Sequence, residues 1–376
     1  MLIVLALLAA AGCSTTPSSP PTAVTTSPTT VSASTVDRVR DDIDGLTRSG
    51  VAGAIATITE NGQTVTLTSG VADRATGAPI PLSPPQEVRV GSISKSFTAA
   101  IIMQLVAEGR VRLDEPVDTY LPGLLTGDGI DGRKITVRQL LQHRSGLPEF
   151  SDLPEIDEYR AGIEGRTFTP GELVALALSR PAQFAPGERY KYTNTNYTVA
   201  GMLVEKVTGR PYTEELAGRI LTPNQLTGTY LPAAGELDFR GPHPLGYATI
   251  DGVRVDVSRT EPSVPWAAGA LISTGNDLNR FYLALVAGRV VAEAQLKEMM
   301  TAESEIAPDS PLRYGMGLIT GELSCGAEYF GHSGGIYGYL TLSGATRDGR
   351  AATIAMTESP EGELDMDDLL GHALCP

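Results

Sequence analysis

Three short strings set far apart constrain this chain more than anything else in it: Ser92-Ile93-Ser94-Lys95, Tyr192-Thr193-Asn194 and His332-Ser333-Gly334. Each carries a chemical part the others lack: a hydroxyl with an amine, a phenol with an amide, an imidazole beside paired glycines. A fold that uses them together must bring distant segments to one place, which takes a large core. With 376 residues, 41% of them hydrophobic, the chain can build one. We therefore read residues 36–376 as a single catalytic domain in two lobes, with the site in the cleft between them.

Ser92 follows Gly91 and opens an apolar run, Phe97, Ile101, Leu105 and Val106, spaced to put one helical stripe toward a core, with Gly109 as the stop. Residues three apart on a helix share a face, so the Lys95 amine falls beside the Ser92 hydroxyl. A serine hydroxyl is a weak nucleophile until a neighbour takes its proton. A lysine buried at the base of a helix loses its preference for the ammonium form and can serve as that neighbour. Alone, the same string also reads as an N-cap serine with a surface lysine one turn on. In the second string, alternate residues place Tyr192 and Asn194 on one side of a loop ahead of a helix containing Leu203 and Val207. A tyrosine acting as a base needs a nearby cation, which Lys95 supplies in this reading. Asn194 offers an amide to hold a substrate, or else an N-cap. The third string sits in a strand. Gly334 and Gly335 allow close backbone approach, and the Gly335 and Ser92 amides together suit an oxyanion hole. His332 is expected to face the cleft, as a donor to a carboxylate or as part of a proton relay.

The two ends of the chain read as one lobe. Val36, Val39, Ile43 and Leu46 space as a helix, Asn61-Gly62 joins two strand-like runs, and Asp348-Gly349 turns between two more. Ser359-Pro360 is expected to start a last helix. The fold class is α+β: an antiparallel sheet flanked by terminal helices, plus a mostly helical lobe over roughly 95–300, where Thr169-Pro170 opens one helix and Ser273 caps another. Trp266 is expected either to wall the cleft or to sit in plain core.

Taken in order, the strings resemble the SxxK, YxN and HxG set of serine penicillin-recognising enzymes, of the class C beta-lactamase and secreted D-alanyl-D-alanine carboxypeptidase type. The likeness extends to Val90–Phe97, Leu140-Leu141-Gln142-His143-Arg144-Ser145-Gly146-Leu147-Pro148, Ala268–Ser273 and Tyr314-Gly315-Met316-Gly317-Leu318. It implies a beta-lactamase/transpeptidase-like fold, Ser92 as the acylated nucleophile, Lys95 and Tyr192 as the general base and acid pair, and Asn194, Ser333 and Gly335 on the substrate side. His332 stands where the beta-lactamases of this family carry lysine, which favours the carboxypeptidase branch. In that branch an arginine beyond the Tyr-Gly-x-Gly-Leu strand holds the substrate's terminal carboxylate. Here the position is Ile319, and a buried carboxylate without a partner is costly. Protonated His332 is the expected partial substitute, titrating near pH 6.5. The substrate is thus expected to be a small peptide, an ester or a beta-lactam, peptidoglycan peptides included. An esterase, a beta-lactamase-like amidase and a penicillin-binding lipoprotein without useful turnover stand as alternatives.

Gly331-His332-Ser333-Gly334-Gly335 also spells the GxSxG of a nucleophile elbow, with Asp365 and His372 following in the required order. A strand-like run follows it, where an elbow needs a helix. At the start, Leu2 to Ala11 is apolar but shorter than the roughly 20 residues that span a bilayer. It ends in Ala10-Ala11-Gly12-Cys13, which resembles a bacterial lipobox, so residues 1–12 are expected as a signal and Cys13 as the lipidated residue. Residues 13–35, rich in Ser, Thr and Pro, then form a disordered tether. The expected address is the outer face of a cell membrane, held by lipid only. Of 3 cysteines, Cys325 and Cys375 then remain, as a disulfide in an oxidising compartment or as two buried thiols. No metal-ligand spacing appears, so no cofactor or metal is expected; His143, His243 and His372 read as structural. The net charge of −15 argues against a nucleic-acid partner.

Overall fold

Asn61 and Gly62 both take positive φ, 51° and 76°, in the computed structural model, which describes residues 30–302, 304–306, 311–360, 362 and 364–376. Two left-handed residues in succession give a tight turn whose twist matches that of paired strands. They join Gly53–Glu60 to Gln63–Asp73, with Thr59 opposite Thr64. The main sheet has nine strands, in the spatial order Ser304–Glu305, Arg313–Tyr314, Ile319–Glu322, Glu328–Ile336, Tyr339–Thr346, Ala351–Met356, Gly53–Glu60, Gln63–Asp73 and Ala78–Pro79. All neighbours are antiparallel. The pairing of Gly53–Glu60 with Ala351–Met356, Ala56 opposite Ile354, brings the two chain ends into one sheet.

One face of the sheet carries the terminal helices. Ala33–Arg48 buries Val39, Ile43 and Leu46, which share a core with Ile354, Leu370 and Leu374. The last helix spans Met366–Leu374 and does not begin at Ser359-Pro360 as the sequence suggested. The Asp365 side chain accepts from Asp368 N at 3.0 Å, and Asp367 and Asp368 in the first turn suit the positive end of the helix. A disulfide between Cys325 and Cys375 ties the end of this helix to the turn between two strands.

The other face packs against helix Gly275–Val286 through Leu278, Phe281 and Leu285. Its N-cap is Thr274, one residue beyond the expected Ser273, whose hydroxyl instead meets Thr229. Thr169 caps Pro170–Ala177 in a reciprocal pair with Glu172. Helix Ser94–Ala107 runs between the sheet side and the helical lobe, and every residue from Ser94 to Met103 is buried. The expected single stripe is thus too narrow a reading. Polar positions survive inside because each is paired: Ser96 Oγ donates to Gly317 O at 2.6 Å and Thr98 Oγ1 to Ala267 O at 2.8 Å.

Candidate active site

Ser92 lies in a single tight turn, Gly91–Ile93, that feeds helix Ser94–Ala107. Gly91 takes φ of 53°, and a Cβ there would come within 2.9 Å of Gly335 N. A Cβ on Gly334 would strike Val90 O and come within 2.8 Å of Ser92 N. Glycine at these positions is what lets strand Glu328–Ile336 touch the Ser92 turn backbone to backbone.

One turn into the helix, Lys95 is fully buried. Its Nζ donates to Ser92 Oγ at 2.9 Å, Asn194 Oδ1 at 2.7 Å and Ala268 O at 2.8 Å. Burial lowers its pKa to about 7, and the negative charge of Glu149 works in the opposite direction. Ala268 O and Asn194 Oδ1 can only accept. A neutral Lys95 therefore gives its two N–H groups to them and turns its lone pair toward the Ser92 hydroxyl.

Tyr192 reaches the same oxygen from the opposite segment, its hydroxyl donating to Ser92 Oγ at 2.7 Å. Thr193, not Asn194, is the N-cap of helix Asn194–Thr208, accepting from Thr195 N; this leaves the Asn194 amide free to hold Lys95. Burial pushes the Tyr192 phenol well above its ordinary value of 10. Of the two arrangements the sequence left open, the phenolate beside a lysine cation is the costlier, because exclusion of water disfavours charge on both groups.

Glu149 is the charge that acts on Lys95. Its carboxylate accepts Asn194 N at 2.5 Å and Ser151 N at 3.0 Å. It follows directly on the segment Leu140–Pro148, and that adjacency was its one signal in the sequence. The Ala268 carbonyl had none, because every residue has one.

Ser92, Lys95, Tyr192, Asn194 and Gly335 are brought together, His332 is buried near enough for Lys95 to act on it, and Ser333 points away. His332 is buried, and its Nε2 meets Tyr314 OH at 3.1 Å while Nδ1 contacts Ser333 O at 2.5 Å. The same Tyr314 hydroxyl meets His143 Nε2 at 3.1 Å. Burial, with Lys95 nearby, lowers the His332 pKa to about 3, so it supplies no cation near neutral pH and the expected substitute for arginine is lost. His143 stacks 4.2 Å from the Tyr192 ring, supporting it from behind. Strand alternation sends Ser333 to the face opposite Gly334, where it borders an apolar recess with Ile319, Leu342 and Met366. Its strand pairs directly with Tyr339–Thr346, so no strand-to-helix elbow exists at Ser333. Trp266, half-buried, lies against Tyr212, ring centres 5.4 Å apart, and over Gly201, packed on the edge of the helical-lobe core. Cys13 lies outside the described residues.

The beta-lactamase family model matches residues 37–374. The chain belongs to this family. A D-stereospecific amidohydrolase from Streptomyces sp. is 37% identical, with 90% of this chain and 98% of that one covered and a TM-score of 0.82. The D-amino acid amidase from Ochrobactrum anthropi SV3, solved with L-phenylalanine amide, is 28% identical over 90% of this chain and 98% of that one, TM-score 0.77. The Bacillus subtilis (strain 168) protein PbpX, placed by its name among penicillin-binding proteins, is 28% identical over 85% of this chain and 74% of its own length. This family member is a serine hydrolase with the beta-lactamase/transpeptidase-like fold.

Proposed function

We propose that the enzyme hydrolyses amides of D-amino acids or short D-peptides that carry a free α-amino group, through an acyl-enzyme on Ser92. One observation carries this reading: the site offers an anion, Glu149, beside Lys95 and Asn194, while the places expected to supply a cation for a terminal carboxylate are Ile319 and neutral His332. An ammonium gains there and a carboxylate does not. The names of the Streptomyces and Ochrobactrum proteins support the same substrate class. The D-alanyl-D-alanine carboxypeptidase reading is correspondingly less well supported.

In the mechanism, the Ser92 proton passes to neutral Lys95 as Oγ bonds to the carbonyl carbon. The oxyanion lies between the Ser92 and Gly335 N–H groups. Collapse breaks the C–N bond, and Tyr192, held as a phenol, gives its proton to the departing nitrogen and regains one from the Lys95 ammonium. Water then repeats the sequence on the ester and releases the acid. An ester substrate uses the same path. We further propose an exported enzyme anchored through Cys13; the disulfide supports an oxidising compartment.

Release of ammonia from D-phenylalanine amide, its L-enantiomer and N-acetyl-D-phenylalanine amide tests the reading, with an acyl-D-Ala-D-Ala peptide alongside. The free D-amide should lead, with acetylation lowering kcat/KM about 10-fold or more. Preference for the acyl-dipeptide would restore the carboxypeptidase reading. A single burst from every substrate with no steady state would leave a penicillin- or peptide-binding protein.

A further inference from the structure

The steps above leave unused a cavity of about 600 Å³ that begins at Gly335. It runs past Tyr337 and Tyr339 to the hairpin of Tyr247–Ile250 with Val253–Asp256. Its size falls within the roughly 300–1,000 Å³ typical of small-molecule sites. At Gly335 an added Cβ would meet nothing nearer than Leu340 Cδ1 at 3.9 Å, so the strand surface beside the oxyanion amide is open.

Position along strand Glu328–Ile336 says which part of a substrate this space receives. The Tyr192 ring packs near Tyr314, whose hydroxyl meets His332, so the proton donor stands toward the His332 end. The cavity lies at the other end, past Gly335. The leaving nitrogen must face Tyr192, which turns the acyl portion toward the cavity.

Three charged side chains line the cavity, and two satisfy each other. Arg254 Nε lies 2.6 Å from Glu358 Oε1, with Arg74 Nη2 at 2.5 Å from Oε2. The third, Glu158, has no ion-pair partner among the described residues. Its carboxyl takes the N–H of Tyr337, while the Tyr337 hydroxyl donates to Asp157 at 2.7 Å. Burial, with Asp157 alongside, raises the Glu158 pKa, and the positive charge of Arg89, too far away to form an ion pair, works in the opposite direction. Tyr337 and Tyr339 flank the approach with apolar ring surface suited to a methylene chain.

We propose that this cavity takes the side chain of the acylated residue and that Glu158 selects a basic one, a lysine- or ornithine-like chain ending in an ammonium. The proposal rests on the D-aminoacyl reading above. The p-nitroanilides of D-lysine and D-norleucine differ at the terminal ammonium and test it directly. Wild type should favour the lysyl substrate by about 10- to 100-fold in kcat/KM, the range of one charge-assisted hydrogen bond. Glu158→Gln should collapse that ratio to about 2-fold while leaving norleucyl turnover, and acylation by p-nitrophenyl acetate, near wild type. A ratio near one in wild type, or one that survives Glu158→Gln, would overturn the assignment and leave the D-aminoacyl reading intact. If neither anilide reacts while p-nitrophenyl acetate still labels Ser92, the D-aminoacyl reading itself fails and this inference falls with it. Should Glu158→Gln lose acetate labelling as well, Glu158→Asp provides the same comparison, with a reduced but surviving lysyl preference expected.

Discussion

On one flank of Ser92, Lys95 is sealed from solvent and directs its whole hydrogen-bonding capacity at Ser92, Asn194 and Ala268. On the other, Gly335 opens onto a cavity whose Glu158 carboxyl forms no ion pair among the described residues. The first flank has no room for variation, because each donor and acceptor already has its partner at 2.7–2.9 Å. The second has room and a carboxyl that no ion pair occupies. The difference separates the chemistry of bond breaking, which needs dryness and fixed contacts, from the choice of substrate, which needs space.

The contrast can be broken most sharply on the closed flank. Lys95→Ala should lower Ser92 acylation by at least about 10³-fold, within the usual range for loss of a positioned base or above it. Mass-resolved labelling with p-nitrophenyl acetate measures this, and near-normal labelling would remove Lys95 from the mechanism. Tyr192→Phe should cost about 10²-fold or more with an amide, whose nitrogen needs a proton to leave, and much less with a p-nitrophenyl ester, whose phenolate does not.

A pH profile sharpens the comparison further. Lys95 must be neutral to accept a proton and its pKa lies at about 7, so acetate-ester acylation should fall about tenfold per pH unit below pH 7 and level off above it. Glu149 raises that pKa, so Glu149→Gln should move the acid limb to lower pH. The same change should reduce kcat/KM about 10- to 100-fold for free α-amino substrates, while N-acetylated ones change little. An unmoved limb would show that Glu149 and Lys95 do not interact. The smallest expected effect on rate lies furthest from the cleft. Replacing Cys325 and Cys375 by serine opens a loop of about 50 residues and should cost about 4 kcal/mol of stability in the chain-entropy model, with acylation at 25 °C unchanged. Denaturant melts beside labelling rates would separate the two.

The closed flank was largely legible in the sequence because its geometry is local. Ser92 and Lys95 share a face by helical period alone, and Gly334-Gly335 announces close approach wherever it falls. The hairpins at Asn61-Gly62 and Asp348-Gly349 were equally local. His332 was misread for the opposite reason. Its pKa depends on the solvent that surrounding segments exclude, and Tyr314 and His143, which enclose it, lie 18 and 189 residues away. The last helix was misplaced because Pro360 is compatible with a helix start without requiring one, whereas Asp365 supplies the hydrogen bond that sets it.

By itself, then, the sequence determined which reactive groups this protein owns and which neighbours along one helix or strand they must have. Periodicity and glycine need only a few residues to act. The tertiary structure alone decided that Lys95 and Tyr192 meet at one oxygen where burial disfavours charge on either, that His332 is uncharged, and that Glu149 and Glu158 stand at the site and its cavity. Those outcomes depend on which distant segments displace water from a group, and displacement of water is a property of the packed molecule.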